Sequence, residues 1–297
     1  MSAREKTYST SSPLLAAYPF KPNFIEIGGV RMHYILEGDD HAPAVLFLHG
    51  VPAWSYTFRN IIPFCLQYGL RVIAPDLPGF GKSDKPQNIA SYSIGNLVNW
   101  IEGLIEKLDL KNLFLFAHDW GAIVGMIVAA NKPAVFSGII LCNGYLPLTG
   151  QKTPFLFRFW RWFSRHSPHI PVGRVVELGC KRPLSRTERA GYNFPFSKER
   201  DKAAIRALPQ LIPAGKNDPG APLIAESWER LKKLEIPVLT VFSKGDVITR
   251  DGEKILQAFI PGTKNQPHRM LEGKHFLQED SPNELALIIH AFVNQNK

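Results

Sequence analysis

The sequence predicts an α/β protein with a mostly parallel central sheet and a helical segment inserted between two of its strands. Three observations carry this prediction. Short, wholly apolar runs alternate with helical periodicity through the first half of the chain. That alternation stops near Gly144, and strand character returns only at Pro237. The chain has 297 residues, 45% of them apolar and 21% charged, the composition of a packed globular protein rather than a disordered one. A chain of this size buries roughly three quarters of its unfolded surface.

The elements follow in order. Phe24–Ile27 and Val30–Leu36 alternate with period two around Gly28-Gly29, which predicts a hairpin. Ala44–His49, Arg71–Pro75, Asn112–Ala117 and Ser137–Cys142 are short apolar runs bounded by Gly, Pro or Asp. Such runs suit strands buried on both faces of a parallel sheet. Helical patterns fall between them at Ile94–Leu108 and Ala122–Ala130. From Gly144 to about Leu234 no strand run occurs, and the segment is basic, aromatic and broken by seven prolines between 147 and 209. Strands resume at Pro237–Phe242 and Gln266–Leu271, and a last helix spans Glu284–Asn294. The expected organisation is therefore a core of residues 1–144 and 231–297, with residues 145–230 as a helical cap.

Composition excludes several classes. No stretch of about 18 uninterrupted apolar residues predicts a membrane-spanning helix, and the N-terminal residues lack the apolar run of a secretory signal. Three well-separated cysteines (Cys65, Cys142, Cys180) fit reduced thiols in a cytoplasmic compartment. The net charge is +9. Residues 151–210 hold thirteen Lys and Arg against four Asp and Glu, a difference of nine that equals the whole excess. No nucleic-acid motif accompanies this charge, so a solvated helical face is the expectation, with neither nucleic acid nor membrane as partner. Within it, Phe155–Phe163 alternates aromatic and basic residues, a pattern also found in interfacial patches and partner contacts. No metal-ligand spacing or phosphate-cradling loop is present, since Gly79-Phe-Gly81-Lys82 lacks P-loop spacing. No cofactor and a monomeric chain are expected.

Four features carry chemistry. Phe114-Leu-Phe-Ala-His118-Asp119-Trp120-Gly121-Ala122 reads as a strand, a tight turn and a helix start, with small residues at Ala117, Gly121 and Ala122. A strained turn of this kind exposes its central side chain at the top of the sheet. That residue is usually Ser; here it is Asp119, and His118 should point away. His49-Gly50-Val51-Pro52 follows a strand, where backbone N–H groups of Val51 and Trp120 can converge as an oxyanion hole. Gly245-Asp246 and Gly273-Lys274-His275-Phe276 each follow a later strand. The order nucleophile, acid, histidine is thereby complete at the carboxyl ends of the strands, where such sheets bind ligands.

These residues resemble the haloalkane dehalogenases of the α/β-hydrolase fold, with epoxide hydrolases as near relatives. The likeness spans nearly the whole chain. It is densest in His49-Gly-Val-Pro-Ala-Trp-Ser-Tyr, in Arg71 to Pro86 and in His118-Asp-Trp-Gly. It implies Asp119 as nucleophile, His275 as base and Trp120 as a halide-holding residue. Leu141-Cys-Asn-Gly-Tyr145 has no carboxylate, so the resemblance points to the subgroup whose acid follows the next strand, Asp246. That subgroup takes a second halide ligand from the cap; Trp160 matches best and Trp162 is the fallback. Tyr192-Asn-Phe-Pro-Phe and Arg206-Ala-Leu-Pro209 are similar to its cap, whereas Val51 departs from relatives that are polar there.

A carboxylate at the elbow suits displacement at saturated carbon, because the ester it forms can be hydrolysed at the enzyme's own carbonyl. A halide leaves without a proton and needs donors in a dry cavity, a role indole N–H fits. An epoxide instead needs acidic hydroxyls, for which this segment offers Tyr145 and Tyr192. A non-catalytic binding protein would have lost part of the triad, and all three positions are filled. The expected partners are a small halogenated hydrocarbon, water and halide.

Overall fold

The structure is a computed structural model and describes residues 17–148, 150 and 153–297. β1 (Asn23–Ile27) and β2 (Val30–Glu37) form the expected hairpin, with Ile27 opposite Val30. Gly28 and Gly29 in its turn have φ of 57° and 74°, the left-handed pair that suits a twisted hairpin and that glycine adopts without strain. β3 (Ala44–Leu48), β4 (Arg71–Pro75), β5 (Leu113–His118), β6 (Phe136–Cys142), β7 (Val238–Ser243) and β8 (Arg269–Leu271) complete the sheet. Its spatial order is β1-β2-β4-β3-β5-β6-β7-β8. β2 runs antiparallel to β4, and every pairing from β4 to β8 is parallel.

Every residue of β5 and β7 is buried, which explains their unbroken apolar character. Adjacent residues of a strand face opposite sides of the sheet, and β5 shows what covers each side. Phe114 packs edge-on against Phe292 of α11 (Pro282–Asn296), in which the last predicted helix extends by two residues at each end. Its neighbour Leu115 abuts Gly125 of α3 (Trp120–Asn131). Helices therefore lie on both faces: α1 (Ile62–Gln67) beside α11, and α2 (Ile94–Lys107) beside α3. α3 is buried all round from Trp120 to Ala130, as an apolar helix without a polar face must be.

Between β6 and β7 the chain forms α4 (Phe155–His166), α5 (Val172–Leu178), α6 (Arg186–Asn193), α7 (Ala203–Leu211) and α8 (Ala221–Leu231), with no strand among the described residues. A reciprocal Ser185–Glu188 capping box starts α6. Arg161 ties α4 to α7 by donating to the Gln210 and Ile212 carbonyls at 2.9 and 2.7 Å, and α8 packs on α3.

β8 is shorter than the predicted Gln266–Leu271. Pro267 has no N–H to donate, and the next residue pairs through its side chain. The Thr240 N–H donates to His268 Nδ1 at 3.1 Å, while His268 Nε2–H donates to the Thr263 carbonyl at 3.0 Å. Two further helices completing the core, α9 (Gly252–Phe259) and the four-residue α10 (Leu277–Asp280), lie outside the sequence expectation.

The inserted helices are anchored by buried charge. Arg59 and Glu279 are both buried. Arg59 donates to Glu279 at 3.0 Å and to Glu188 of α6 at 3.1 Å. Arg182 reaches Glu279 at 2.6 Å, and the Tyr192 hydroxyl donates to the same carboxylate. Removing one member of such a cluster strands an uncompensated buried charge. Glu279→Ala should lower the unfolding free energy by about 3–5 kcal/mol in urea titration, and a loss under about 1 kcal/mol would show that the cluster does not hold the helices.

Candidate active site

Asp119 occupies the turn between β5 and α3 with φ 49° and ψ −116°, a backbone state that costs an ordinary residue of order 1–3 kcal/mol. The turn is feasible because its neighbours are small. A Cβ on Gly121 would lie 2.2 Å from the Leu48 carbonyl oxygen, and one on Gly50 would lie 2.6 Å from Asp119 Cβ. β3 and β5 thus bring the His49–Val51 loop directly against the turn. The Val51 N–H donates to Asp119 Oδ2 at 2.9 Å, and the Trp120 N–H also bonds the carboxylate. His49 fixes this loop: its Nδ1–H donates to the Gly50 carbonyl at 2.9 Å, while Nε2 accepts the Leu77 N–H at 2.9 Å. Burial lowers the His49 pKa and keeps the ring neutral, as this pattern requires.

β7 and β8 deliver the other two members. His275 Nδ1–H donates to Asp246 Oδ2 at 3.0 Å, and His275 Nε2 stands 3.8 Å from Asp119 Oδ1. That separation is too long for a hydrogen bond, so the Nε2 lone pair is open to a water beside the Asp119 carboxyl carbon. The Ile248 N–H holds Asp246 Oδ1 at 2.8 Å, and the Thr249 hydroxyl donates to Oδ2.

Burial dominates the electrostatics of each group but does not always prevail. It raises the Asp119 carboxyl above its usual range against the pull of His275 and the Val51 and Trp120 N–H groups. Burial would also raise Asp246, but attraction to His275 and its hydrogen bond, with those from Thr249 and Ile248, bring it to about 2. Burial opposes a charged His275, yet Asp246, aided by Asp119, lifts it to about 8.

A cavity of about 510 Å³ opens above these groups, lined by Asp119, Trp120, Trp160, Asp246 and His275 among others. A lobe of about 70 Å³ shares Asp119, Phe157 and Ile248 with it and passes Tyr145. The structure thus gathers Asp119, His275, Asp246, Val51, Trp120 and Trp160 around one space. Trp162 does not line it and is 59% exposed. Trp54 and Trp228 donate their indole N–H to carbonyls at 3.1 and 3.3 Å. Those of Trp120 and Trp160 have no partner among the described residues. Tyr192 lies outside the cavity, fully buried with its hydroxyl committed to Glu279. No cluster of three or more potential metal ligands occurs among the described residues.

Sequence reasoning missed the groups that position His275. Its carbonyl accepts from His118 Nε2–H at 2.9 Å and from Asn143 Nδ2–H at 3.0 Å. Asn143 also bonds Ser243 in both directions, at 3.0 and 2.9 Å, and so joins β6, β7 and the histidine loop. A polar residue closing an apolar strand was the available signal. His118 does point away from the cavity, beneath His275.

The raised pKa of His275 depends chiefly on Asp246, since burial alone lowers it. In Asp246→Asn the attraction disappears, and His275 should titrate below 6.5 instead of near 8 when followed by ¹⁵N-histidine NMR. An unmoved titration would remove Asp246 as the partner of His275.

Residues 43–166 match the alpha/beta hydrolase fold family. Haloalkane dehalogenases of Mycolicibacterium paratuberculosis and Mycobacterium marinum are each 40% identical over 277 residues, covering 92% of this chain and 92% and 93% of theirs. The haloalkane dehalogenase of Psychrobacter cryohalolentis is 38% identical over 288 residues, 95% of either chain. Among solved structures, a haloalkane dehalogenase of Paraglaciecola agarilytica NO2, described as tetrameric, superposes with a TM-score of 0.83 at 29% identity over 96% of this chain and 94% of that one. The chain belongs to the haloalkane dehalogenase family.

Proposed function

We propose that this protein hydrolyses haloalkanes to a primary or secondary alcohol, a halide and a proton. The observation that carries this reading is a carboxylate at a strained strand-to-helix turn, facing a cavity lined by Trp120 and Trp160, whose indole N–H groups have no hydrogen-bond partner among the described residues. Val51 engages Oδ2, so Oδ1 is the attacking oxygen. It forms a bond to the halogen-bearing carbon, and the carbon–halogen electron pair leaves with the halide, which accepts from Trp120 and Trp160. His275 Nε2 then takes a proton from water, whose oxygen adds to Asp119 Cγ. The oxyanion develops on Oδ2 before the Val51 and Trp120 N–H groups. Collapse breaks the Cγ–O bond to the alkyl group, and the alkoxide leaves with the proton from His275. The new carboxylic acid loses its proton to solvent and regenerates Asp119.

The electrostatics support this order. Asp119 is one of the groups that raise His275. Conversion of that carboxylate into a neutral ester removes its pull, and His275 becomes a freer base when water must be activated. Asp246 keeps its charge throughout and stabilises the imidazolium. No step calls for a cofactor.

We divide the chain into a core of residues 1–144 and 231–297 and a cap of 145–230, because Leu156, Phe157 and Trp160 of α4 roof the cavity. We take the chain to act as a monomer, since its cap carries a net charge of +8 out of the chain's +9 and two such caps would repel. An epoxide hydrolase would need tyrosine hydroxyls aimed at the leaving oxygen. Tyr192 is engaged elsewhere, which leaves Tyr145 alone at the cavity.

Bromide release from 1-bromobutane and 1,2-dibromoethane, with styrene oxide in parallel, tests the reading. Asp119→Ala should abolish release. Trp160→Phe should cost roughly 10- to 100-fold, the worth of a hydrogen bond to a charged group. Diol from styrene oxide without bromide release would reassign the reaction, and unchanged turnover in Trp160→Phe would remove that residue from the halide site.

A further inference from the structure

Helix α4 turns an apolar stripe away from the protein. Phe155, Phe159 and Trp162 follow the i, i+4, i+7 spacing of one helix face, and they are 76%, 52% and 59% exposed. Leu156 is also exposed, and so are Leu178 and Val247 across the cavity mouth. Leu156, Phe159, Leu178 and Val247 line the cavity itself, so the exposed apolar patch surrounds its opening. Contiguous apolar surface of this kind marks an interaction site rather than ordinary scatter.

The charge around the patch indicates the partner. α4 contains Arg158, Arg161 and Arg165 and no carboxylate. Arg161 is used internally. Arg158 and Arg165 are exposed and have no ion-pair partner among the described residues. An outward aromatic stripe flanked by arginines is the pattern of a helix lying in the plane of an anionic lipid surface. A second copy of this chain would instead bring two strongly basic caps together. Residues 1–16 offer no complementary charge either, with Arg4 and Lys6 against Glu5.

We propose that the exposed face of α4, with the cavity rim, docks on anionic membrane surfaces. Attachment would be peripheral, since no described helix is long and apolar enough to cross a membrane. The sequence-based expectation of no membrane partner would then hold only for spanning segments. Resting on the activity proposed above, this contact sets the cavity mouth against the phase in which apolar haloalkanes dissolve.

The test is co-sedimentation of the full chain with vesicles of phosphatidylglycerol and phosphatidylcholine, and with phosphatidylcholine alone, read without turnover so that it stands apart from the activity. Binding is expected on the anionic vesicles only. It should fall at least about tenfold in Arg158→Glu/Arg165→Glu and in Phe155→Ser/Trp162→Ser, with bromide release from a water-soluble haloalkane unchanged. Absence of binding to anionic vesicles, or binding equal in both variants, overturns the proposal. So does a dimer in analytical ultracentrifugation that Phe155→Ser/Trp162→Ser dissolves while vesicle binding is absent; the face would then join copies of the chain.

Discussion

The turn at Asp119 is the constraint on which the rest of the site depends. A backbone at φ 49° and ψ −116° is unfavourable for any residue with a side chain. It persists because β5 and α3 enter and leave it from fully buried positions, and because Gly50 and Gly121 leave room for close approach. Its consequence is electrostatic. The same geometry that exposes the carboxylate above the sheet aims the Val51 and Trp120 N–H groups at it. Burial raises the carboxyl, and the two donors and His275 oppose that rise by favouring its charged form. A hydroxyl there would need a base to become a nucleophile, whereas the carboxylate is one already.

The second dependence runs through His275. Its ring is positioned from Asp246, and its carbonyl is clamped by His118 and Asn143. The residue is therefore held at its ring through Nδ1 and at its backbone through the carbonyl, and the Nε2 edge is left toward Asp119. This division separates two tasks. Asp246 sets the charge state, and the carbonyl clamp sets the place.

Much of this was legible in the sequence, for identifiable reasons. The elbow announced itself because its small residues must occur at fixed spacing around Asp119. The strands announced themselves because a doubly covered parallel sheet leaves apolar runs bounded by turn residues. Trp160 and Trp162 could not be separated by sequence position alone. They lie two residues apart, about 200° around a helix, so only the docking of α4 decides which one faces the cavity. In the sequence Asn143 shows only that no carboxylate closes β6; its partners arrive from β7 and the histidine loop, about 100 and 130 residues later. His268 shortened β8 by the same kind of non-local bond. The commitment of Tyr192 to Glu279 was equally invisible, because the two are 87 residues apart.

The central claim is that Asp119 itself supplies the oxygen that reaches the product, with Oδ2 held by the Val51 N–H and Oδ1 free to attack. A single turnover of 1-bromobutane in H₂¹⁸O, with enzyme in excess, tests it most directly. The account predicts unlabelled butanol and one ¹⁸O in the peptide that contains Asp119. Label in the butanol of that first turnover, with none in the peptide, would mean that water attacks the carbon directly and that the carboxylate at the turn is not the nucleophile.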